Sequence, residues 1–149
     1  ADMSVRTLTK ADIAAALVLY RHLVGDAALA GPERVAAVLD HPGTSLWGAW
    51  DGAAALRAMA TVHILPNVTQ GGRSYALVEN VVTHRDHRGV GHGRRVMEAV
   101  IGTAWAAGCY KIMLMTGQTA EARGFYETLG FSADEKWAMT MRRAPLRQV

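Results

Sequence analysis

A glycine-rich segment with several arginines holds the residue types best suited to chemistry in this sequence. Residues 88–93 read R-G-V-G-H-G, so three glycines fall within five positions. Glycine lets the backbone turn sharply and bring its N–H groups close to a ligand. A helix is predicted to begin near Gly93, and the free N–H groups and positive dipole end of a helix N-terminus attract phosphate. The segment therefore predicts a phosphate-binding loop, with a glycine-rich loop carrying solvated arginines as the alternative.

Other phosphate and metal motifs do not fit the same segment. A P-loop requires Lys followed by Ser or Thr, which is absent, and the dinucleotide-binding pattern needs a third glycine where Arg94 stands. The metal-ligand patterns C-x-x-C and H-E-x-x-H are also absent. His84, His87 and His92 lie in a loop that leads into a helix, so we interpret them as solvent-facing or phosphate-side residues. No metal is expected.

The elements around this loop are predicted from hydrophobic periodicity. Period-two alternation predicts a strand over residues 75–83, with Glu79 and Val81 on one face and Val82 on the other. Apolar pairs that recur every four residues predict a helix from about residue 93 to residue 107. A strand over residues 110–116 follows, and then a helix that Thr119 caps and Gly130 ends.

The rest of the chain supplies further strands and helices. A capping box at Thr9 and Asp12 opens a helix that ends near Gly25, and Asp51-Gly52 is a strong hairpin signal. The order β-α-α-β-β-β-α-β-α-β predicts a mixed sheet covered by helices. The predicted strands and helices outside the segment just described cover residues 4–8, 9–24, 32–41, 45–51, 54–65 and 136–142.

Composition and charge limit the class of protein. The chain has 149 residues, half of them hydrophobic, which predicts one domain over residues 1–149. A formal net charge of +3 is too small for a broad nucleic-acid footprint. Cys109 is a lone cysteine, interpreted as a buried structural thiol, and a reducing cytoplasmic compartment is expected. No signal-peptide layout or apolar stretch of 18 residues occurs, so neither secretion nor a membrane span is expected.

These motifs resemble the GNAT superfamily of acyl-CoA-dependent N-acetyltransferases. The family signature is Arg or Gln, two residues, Gly, one residue, then Gly or Ala, and residues 88–93 match it. The preceding strand L-V-E-N-V-V-T, the later strand Y-K-I-M-L and the segment F-Y-E-T-L-G-F extend the resemblance over residues 75 to about 132. The resemblance implies an α/β (α+β) domain with a mixed, mostly antiparallel sheet that is splayed at the cofactor site and has helices on both faces.

The same resemblance implies a place for acetyl-CoA, the cosubstrate. The glycine-rich loop would hold the pyrophosphate through backbone N–H groups, and the end of strand 75–83 would pair with the pantetheine arm. Strands 75–83 and 110–116 would splay apart to make room for it. The residues expected to bind the cofactor on this basis are Val81, Val82, Thr83, Arg88, Gly89, Val90, Gly91, His92, Gly93 and Arg94.

The implied reaction is direct transfer of an acetyl group to a primary amine of an unidentified, small-molecule acceptor. Such an amine arrives as ammonium at neutral pH and must lose a proton before it attacks. Glu79 is the candidate base, because desolvation on an apolar strand face would make its carboxylate a better proton acceptor. The alternative for Glu79 is a carboxylate paired with a buried arginine or exposed at a strand end.

Two further roles follow from the resemblance. The backbone N–H of Val82 would bind the developing oxyanion. Tyr126, in the matching place on the last helix, would assist the departing thiolate, and the alternative is a core aromatic residue with a satisfied hydroxyl group. Within the superfamily, residues 79–82 and 108–112 look closest to the glucosamine-6-phosphate N-acetyltransferase-like subgroup. That subgroup has an acidic substrate residue on the following strand, whereas residues 114–116 here read L-M-T.

Other classes of function stay open beside this one. A non-catalytic acyl-CoA-binding sensor or interaction module would keep the cofactor loop without transfer. Nucleic-acid binding through the arginines of residues 85–95 would show a steep salt dependence, but the low net charge and the lack of interleaved aromatic residues disfavour it. The apolar strand predicted around Trp137 and Met139 is a possible homodimer surface. Residues 20–45 and 63–74, expected to shape the acceptor pocket, carry no signature.

Overall fold

The computed structural model describes residues 3–144 in two compact units, which divide after Leu114. The first unit holds a five-stranded sheet and three α-helices, and the second holds one α-helix. Across residues 3–144, every helix is too short or too polar to span a lipid bilayer. The elements are β1 (Ser4–Thr7), α1 (Ile13–Val24), α2 (Pro32–Asp40), β2 (Thr44–Trp50), β3 (Leu56–Leu65), β4 (Tyr75–Thr83), α3 (His92–Ala106), β5 (Ile112–Leu114) and α4 (Ala120–Thr128).

The sheet follows the chain order β1-β2-β3-β4-β5. The first three pairings are antiparallel and β4 pairs with β5 in parallel, so the predicted mixed, mostly antiparallel sheet is confirmed. The predicted hairpin between β2 and β3 is also present. Its turn is held by the Asp51 carboxylate, which accepts hydrogen bonds from the N–H groups of Ala53 and Ala55 and pairs with Arg57.

Helices cover both faces of the sheet. On one face, residues of α1 and α2 pack with Leu46, Met59 and Val82 in a continuous core cluster. On the other face, Val62 and Val78 are fully buried, and α3 contacts four of the strands. Side chains alternate between faces along a strand, so two buried faces require two covering layers. The β4 strand, which carries the candidate base, therefore crosses the middle of a packed core.

The prediction of a strand over residues 136–142 is wrong. Those residues form no strand, and Trp137, Met139 and Met141 are 93%, 91% and 98% exposed. A strand needs a neighbouring strand for its backbone hydrogen bonds, and residues 115–144 contain none. The alternating sequence pattern is typical of a strand, but it contains no information on whether a partner strand is present.

The predicted capping box is confirmed and joins β1 to α1. The Asp12 carboxylate accepts a hydrogen bond from the N–H of Thr9 at 2.8 Å and two from the Arg6 guanidinium at 2.8 and 3.0 Å. Arg6 also lies 3.8 Å over the ring of Trp50. These hydrogen bonds, from Arg6 above all, lower the pKa of Asp12 to about 2, although burial acts in the opposite direction.

Asp12 should make the stability of the fold depend on pH. Its carboxylate stabilises the folded chain fully above the ordinary pKa near 3.8, and this contribution is lost as the pH falls towards 2. We expect Asp12→Asn to lower the free energy of unfolding by about 1–2 kcal/mol at pH 7 and much less near pH 2. Urea unfolding at pH 7, 4 and 2.5 measures it. Asp40→Asn, which breaks an exposed ion pair with Lys10, is the control; an equal deficit at every pH would contradict the role of Asp12.

Candidate active site

The edge of β4 is open where the cofactor is expected. Parallel pairing with β5 covers Ala76, Leu77 and Val78 and ends where Val78 meets Leu114. The β4 strand then continues to Thr83 without a β5 partner. Backbone N–H and C=O groups on an unpaired edge can bind an added extended chain. The predicted opening between these two strands is therefore present.

A β-bulge interrupts β4 at the start of the open edge, and the sequence analysis missed it. Met59 lies opposite Val82 whereas Thr61 lies opposite Glu79, so two residues of β4, Asn80 and Val81, face a single residue of β3. Asn80 has a φ of +52°, in the left-handed region that asparagine tolerates better than most residues. An asparagine inside an apolar strand pattern was the available signal. Bulges bend a strand and redirect its side chains.

The bulge changes which β4 amides face the open edge. The N–H of His84 donates to the C=O of Arg57 at 2.7 Å, and hydrogen-bonded pairs alternate along an antiparallel ladder. Two residues back, Val82 and Met59 therefore form the next hydrogen-bonded pair, and the Val82 N–H faces β3. By the same alternation the Thr83 N–H faces the open edge, and we infer the same direction for the Val81 N–H, which directly precedes Val82. The role of Val82 as an oxyanion donor stays a prediction, and this register adds Val81 as an alternative donor.

Glu79 lies immediately before the bulge, on the face that α1 and α2 cover. Its side chain is half-buried and shares this face with Thr61, which is directly opposite on β3. Among residues 3–144, its carboxylate forms no ion pair or hydrogen bond, so the pairing with a buried arginine that we considered is not seen. Tyr20 of α1 hydrogen-bonds to Thr61, and burial raises the pKa of its hydroxyl group. The site thus holds a carboxylate that is available to a ligand or water.

The loop after β4 has the backbone geometry that close approach to a ligand requires. It begins with a short 3₁₀ turn over Arg85–His87, and then Gly89 and Gly91 adopt φ values of +78° and +95°. A Cβ atom at either glycine would meet no protein atom within 4 Å. These glycines therefore serve a left-handed backbone and leave the space beside the loop open for a ligand.

The first turn of α3 adds donors to this loop. The first backbone bond of the helix runs from the N–H of Arg95 to the C=O of Gly91 at 3.0 Å, so the N–H groups of His92, Gly93 and Arg94 have no partner within the helix. The Arg94 side chain pairs with Glu98 at 3.1 Å, while the Arg88 side chain is exposed. Free amides, the helix dipole and positive charge together fit a diphosphate.

His92 is buried at the start of α3, so it is not solvent-facing, and its interpretation as a phosphate-side residue stays a prediction. Its Nδ1 atom has no hydrogen-bond partner among the described residues, and burial lowers the pKa of its ring. Buried polar atoms without partners are uncommon in folded proteins. The orphaned nitrogen therefore marks the loop as a site that a ligand or water completes.

A histidine cluster, made of His22, His84 and His87, attaches the loop to α1. The ring centroids of His22 and His84 are 4.2 Å apart, and those of His84 and His87 are 5.0 Å apart. The Nδ1 atom of His22 accepts hydrogen bonds from the N–H and Nε of Arg85. Burial and the neighbouring imidazoles lower the pKa of His84. Because His22 is far away in sequence, only the fold could show this connection.

The described residues give no support to metal chemistry or thiol chemistry. No group of three or more His, Cys, Asp and Glu side chains in residues 3–144 is placed to hold a metal ion. Cys109 is buried, which raises the pKa of its thiol and agrees with a structural role.

Tyr126 lies on α4, in the unit formed by residues 115–144. Thr119 caps this helix by accepting a hydrogen bond from the N–H of Ala122, as the sequence predicted. The Tyr126 ring packs edge-on against Phe125 and Phe131, with centroids 5.0 and 6.1 Å away. Burial raises the pKa of its hydroxyl group, so the phenol is protonated at neutral pH and can donate a proton. Its part in the reaction stays a prediction.

Comparisons with known proteins agree with this geometry. Residues 17–131 match the Acetyltransferase (GNAT) family. A glucosamine 6-phosphate N-acetyltransferase of Trypanosoma brucei brucei is 30% identical over 147 residues, which cover 91% of this chain and 92% of that protein. An acetyltransferase structure from Trypanosoma brucei has a TM-score of 0.80 at 27% identity and covers 95% of this chain and 100% of its own.

A solved structure from Agrobacterium tumefaciens str. C58 is also similar. Its TM-score is 0.86 at 37% identity, over 94% of this chain and 99% of that chain. The matched family covers most of the sequence, including β4, the glycine loop, α3 and α4. The chain therefore belongs to the GNAT family and is an acetyl-CoA-dependent N-acetyltransferase.

Proposed function

We propose that this enzyme transfers the acetyl group of acetyl-CoA directly to a primary amine of a small molecule. The observation that carries the proposal is the continuity of the open β4 edge with the glycine loop. A strand edge without a partner ends where a loop with two left-handed glycines begins, and α3 starts directly after it. An extended cofactor arm with a diphosphate at one end matches this arrangement.

The backbone supplies most of the cofactor contacts in this proposal. The N–H groups of Val81 and Thr83 would face the open edge and pair with the pantetheine arm, and Val82 would hold β4 to β3 between them. The diphosphate would lie against the loop and the first turn of α3. The residues proposed for that part of the site are Arg88, Gly89, Val90, Gly91, His92, Gly93 and Arg94.

Three groups would act on the reacting atoms. Glu79 would accept the proton of the ammonium through a water molecule, which frees the amine to attack. The N–H of Val81, rather than that of Val82, would stabilise the oxyanion. As the new C–N bond forms and the C–S bond breaks, Tyr126 would donate a proton to the departing thiolate, and the second proton that the nitrogen loses on becoming an amide would restore the phenol.

Thiol release from acetyl-CoA with a panel of amines tests the proposal. The panel includes glucosamine 6-phosphate, because a relative carries that name. We expect amine-dependent thiol release together with the matching N-acetyl product. Binding of coenzyme A without release across the panel would instead favour the non-catalytic sensor or interaction module.

Glu79→Gln should separate base catalysis from binding. General-base catalysis contributes about a hundredfold or more, so we expect kcat to fall by about that factor at pH 7. The deficit should shrink as the pH rises towards the pKa of the free amine, since the amine then loses its proton without help. The measurement is a pH profile of kcat with a fixed amine. Glu121→Gln, on the exposed first turn of α4, is the control; a full rate in the Glu79 variant at pH 7 would exclude the role.

We also propose that residues 136–142 pair with a second copy of the chain, giving a homodimer. Trp137, Met139 and Met141 alternate as strand residues do and are almost fully exposed. Sedimentation of the wild type should show a dimer that Met139→Lys weakens, whereas Thr140→Lys, at the opposite parity, should have a smaller effect. A wild-type monomer at tens of micromolar would refute this pairing.

A further inference from the structure

A cleft lies between α1, α2 and the bulge of β4. Its volume is about 270 Å³, enough for a small molecule, and it belongs entirely to the first unit. The lining side chains are mainly apolar, with Leu23, Val35 and Val38 among them. No acidic side chain lines it, so the cleft favours a ligand with an apolar body.

Arg34 is the single charged side chain that lines this cleft. It is exposed near the start of α2, and its guanidinium has no ion pair or hydrogen bond with any residue in 3–144. Arg6 and Arg57 of the same unit, by contrast, are paired with Asp12 and Asp51. An arginine presents a rigid fork of donors that matches carboxylate and phosphate oxygens. The Glu33 carboxylate lies beside Gly31, but among the side chains that line the cleft the charge is that of Arg34, which is complementary to an anionic group.

The cleft also reaches the bulge of β4, next to the proposed site of reaction. Asn80, the left-handed residue of the bulge, lines it, and Asn80 follows Glu79 directly in β4. Tyr20 also lines the cleft, and its hydroxyl group interacts with Thr61. The polar side chains of the lining are Tyr20, Arg34 and Asn80, which are few for a ligand rich in hydroxyl groups.

We propose that the acetyl acceptor is a primary amine with an apolar body and a carboxylate or phosphate group, and that Arg34 binds this anionic group. The apolar body would lie along α1 and α2, and the amine would lie at the bulge beside Glu79. This inference rests on the proposed function, because it identifies the cleft as the acceptor site. It assigns Arg34 as the residue that determines specificity.

A matched series of amines tests the assignment. Hexylamine, 6-aminohexanoate and 6-aminohexyl phosphate all have an amine on an alkyl chain. The first has no anionic group, the second has a carboxylate and the third has a phosphate. Glucosamine 6-phosphate instead joins a phosphate to a polar sugar ring. We expect kcat/KM for the better anionic alkylamine to exceed that of hexylamine at least about tenfold, as a charge-assisted hydrogen bond would give. The carboxylate and phosphate arms show which anion is used. A higher kcat/KM for glucosamine 6-phosphate would overturn the apolar body.

Arg34→Gln should lower kcat/KM for the anionic alkylamines at least about tenfold and leave hexylamine unchanged. Arg34→Lys should retain part of the preference. Arg21→Gln, which removes an arginine paired with Asp26 outside the cleft, is the matched control and should change neither. Equal losses for anionic and neutral amines, or none, would overturn the role of Arg34.

Direct binding separates failure of this inference from failure of the proposed function. Hexanoate and hexyl phosphate are titrated against the enzyme by calorimetry in the presence of coenzyme A. If the wild type binds these anions and Arg34→Gln does not, the anion site is supported, even if none of the amines is acetylated. Failure to acetylate any amine would count against the proposed acetyl transfer and not against the anion site. Acetylation of hexylamine with no binding of either anion would leave the proposed function intact and refute the inference.

Discussion

Replacing Gly91 by valine is expected to weaken binding of coenzyme A at least tenfold. Gly91 caps α3 with a φ of +95°, a conformation that costs a β-branched residue about 1–3 kcal/mol. The variant can relieve that strain by turning the peptide, which moves the loop amides away from the diphosphate. Each lost hydrogen bond to a charged group costs about another 1.5–3 kcal/mol. Where the strain is not relieved, the new methyl groups occupy the open space beside the loop.

The effect is measured as the dissociation constant of coenzyme A by calorimetric titration. Gly71→Val is the matched control, because Gly71 has a φ of +69°, equally open surroundings and a place outside the loop and the cleft. Both variants should lose similar stability in a thermal melt, and only the Gly91 variant should lose affinity. An unchanged dissociation constant in Gly91→Val would refute the assignment of the loop as the diphosphate site.

Local pattern was sufficient to predict most of the fold. Apolar spacing placed α1 and α3, the Asp51-Gly52 pair placed the β2–β3 turn, and Thr9 and Asp12 placed the start of the first helical segment. These features depend on contacts between residues that are close in sequence, so the sequence carries them directly. The strand predicted over residues 136–142 failed because pairing depends on a partner strand, which periodicity does not specify.

The bulge in β4 shows a second limit of periodicity. Uniform alternation put Glu79 and Val81 on one face and Val82 on the other. The extra residue at the bulge reverses this parity, so Val82 joins Met59 and Glu79 on the face covered by α1 and α2. An inserted residue does not change the composition of a strand, and only the register with β3 reveals it. For this reason the oxyanion donor that we propose is the N–H of Val81 rather than that of Val82.

The cleft that we propose for the acceptor could not be predicted from the sequence, because segments that are distant in the chain form it. Residues 20–45 were expected to shape the pocket, and Tyr20, Arg34 and Val38 do line the cleft. Residues 63–74 were expected to contribute as well, but they do not line it. Asn80, from the middle of the chain, completes it instead. Nothing local to Arg34 distinguishes it from other surface arginines, since its significance depends on a guanidinium that forms no ion pair within residues 3–144 and lines a cleft that only the fold creates.

Tyr126→Phe is expected to lower kcat about a hundredfold while leaving the affinity for coenzyme A nearly unchanged. A positioned general acid contributes about 10²–10⁴-fold, and burial raises the pKa of this phenol, so its proton is present at neutral pH. Phenylalanine keeps the edge-on contacts with Phe125 and Phe131, so packing of α4 should survive. The loss should therefore fall on the step in which the thiolate leaves.

Steady-state kcat and the dissociation constant of coenzyme A are measured for the wild type, for Tyr126→Phe and for the control variant Tyr110→Phe. Tyr110→Phe removes a hydroxyl group from a half-buried tyrosine outside the proposed machinery and should change neither quantity. The wild type should also lose rate at high pH as the Tyr126 phenol ionises, and the phenylalanine variant should lack that limb because it has no proton to lose. Equal losses of kcat and cofactor affinity, with the high-pH limb retained, would instead make Tyr126 a packing residue. A structural defect would reduce both quantities, whereas it would not remove the group whose titration causes the loss of rate at high pH.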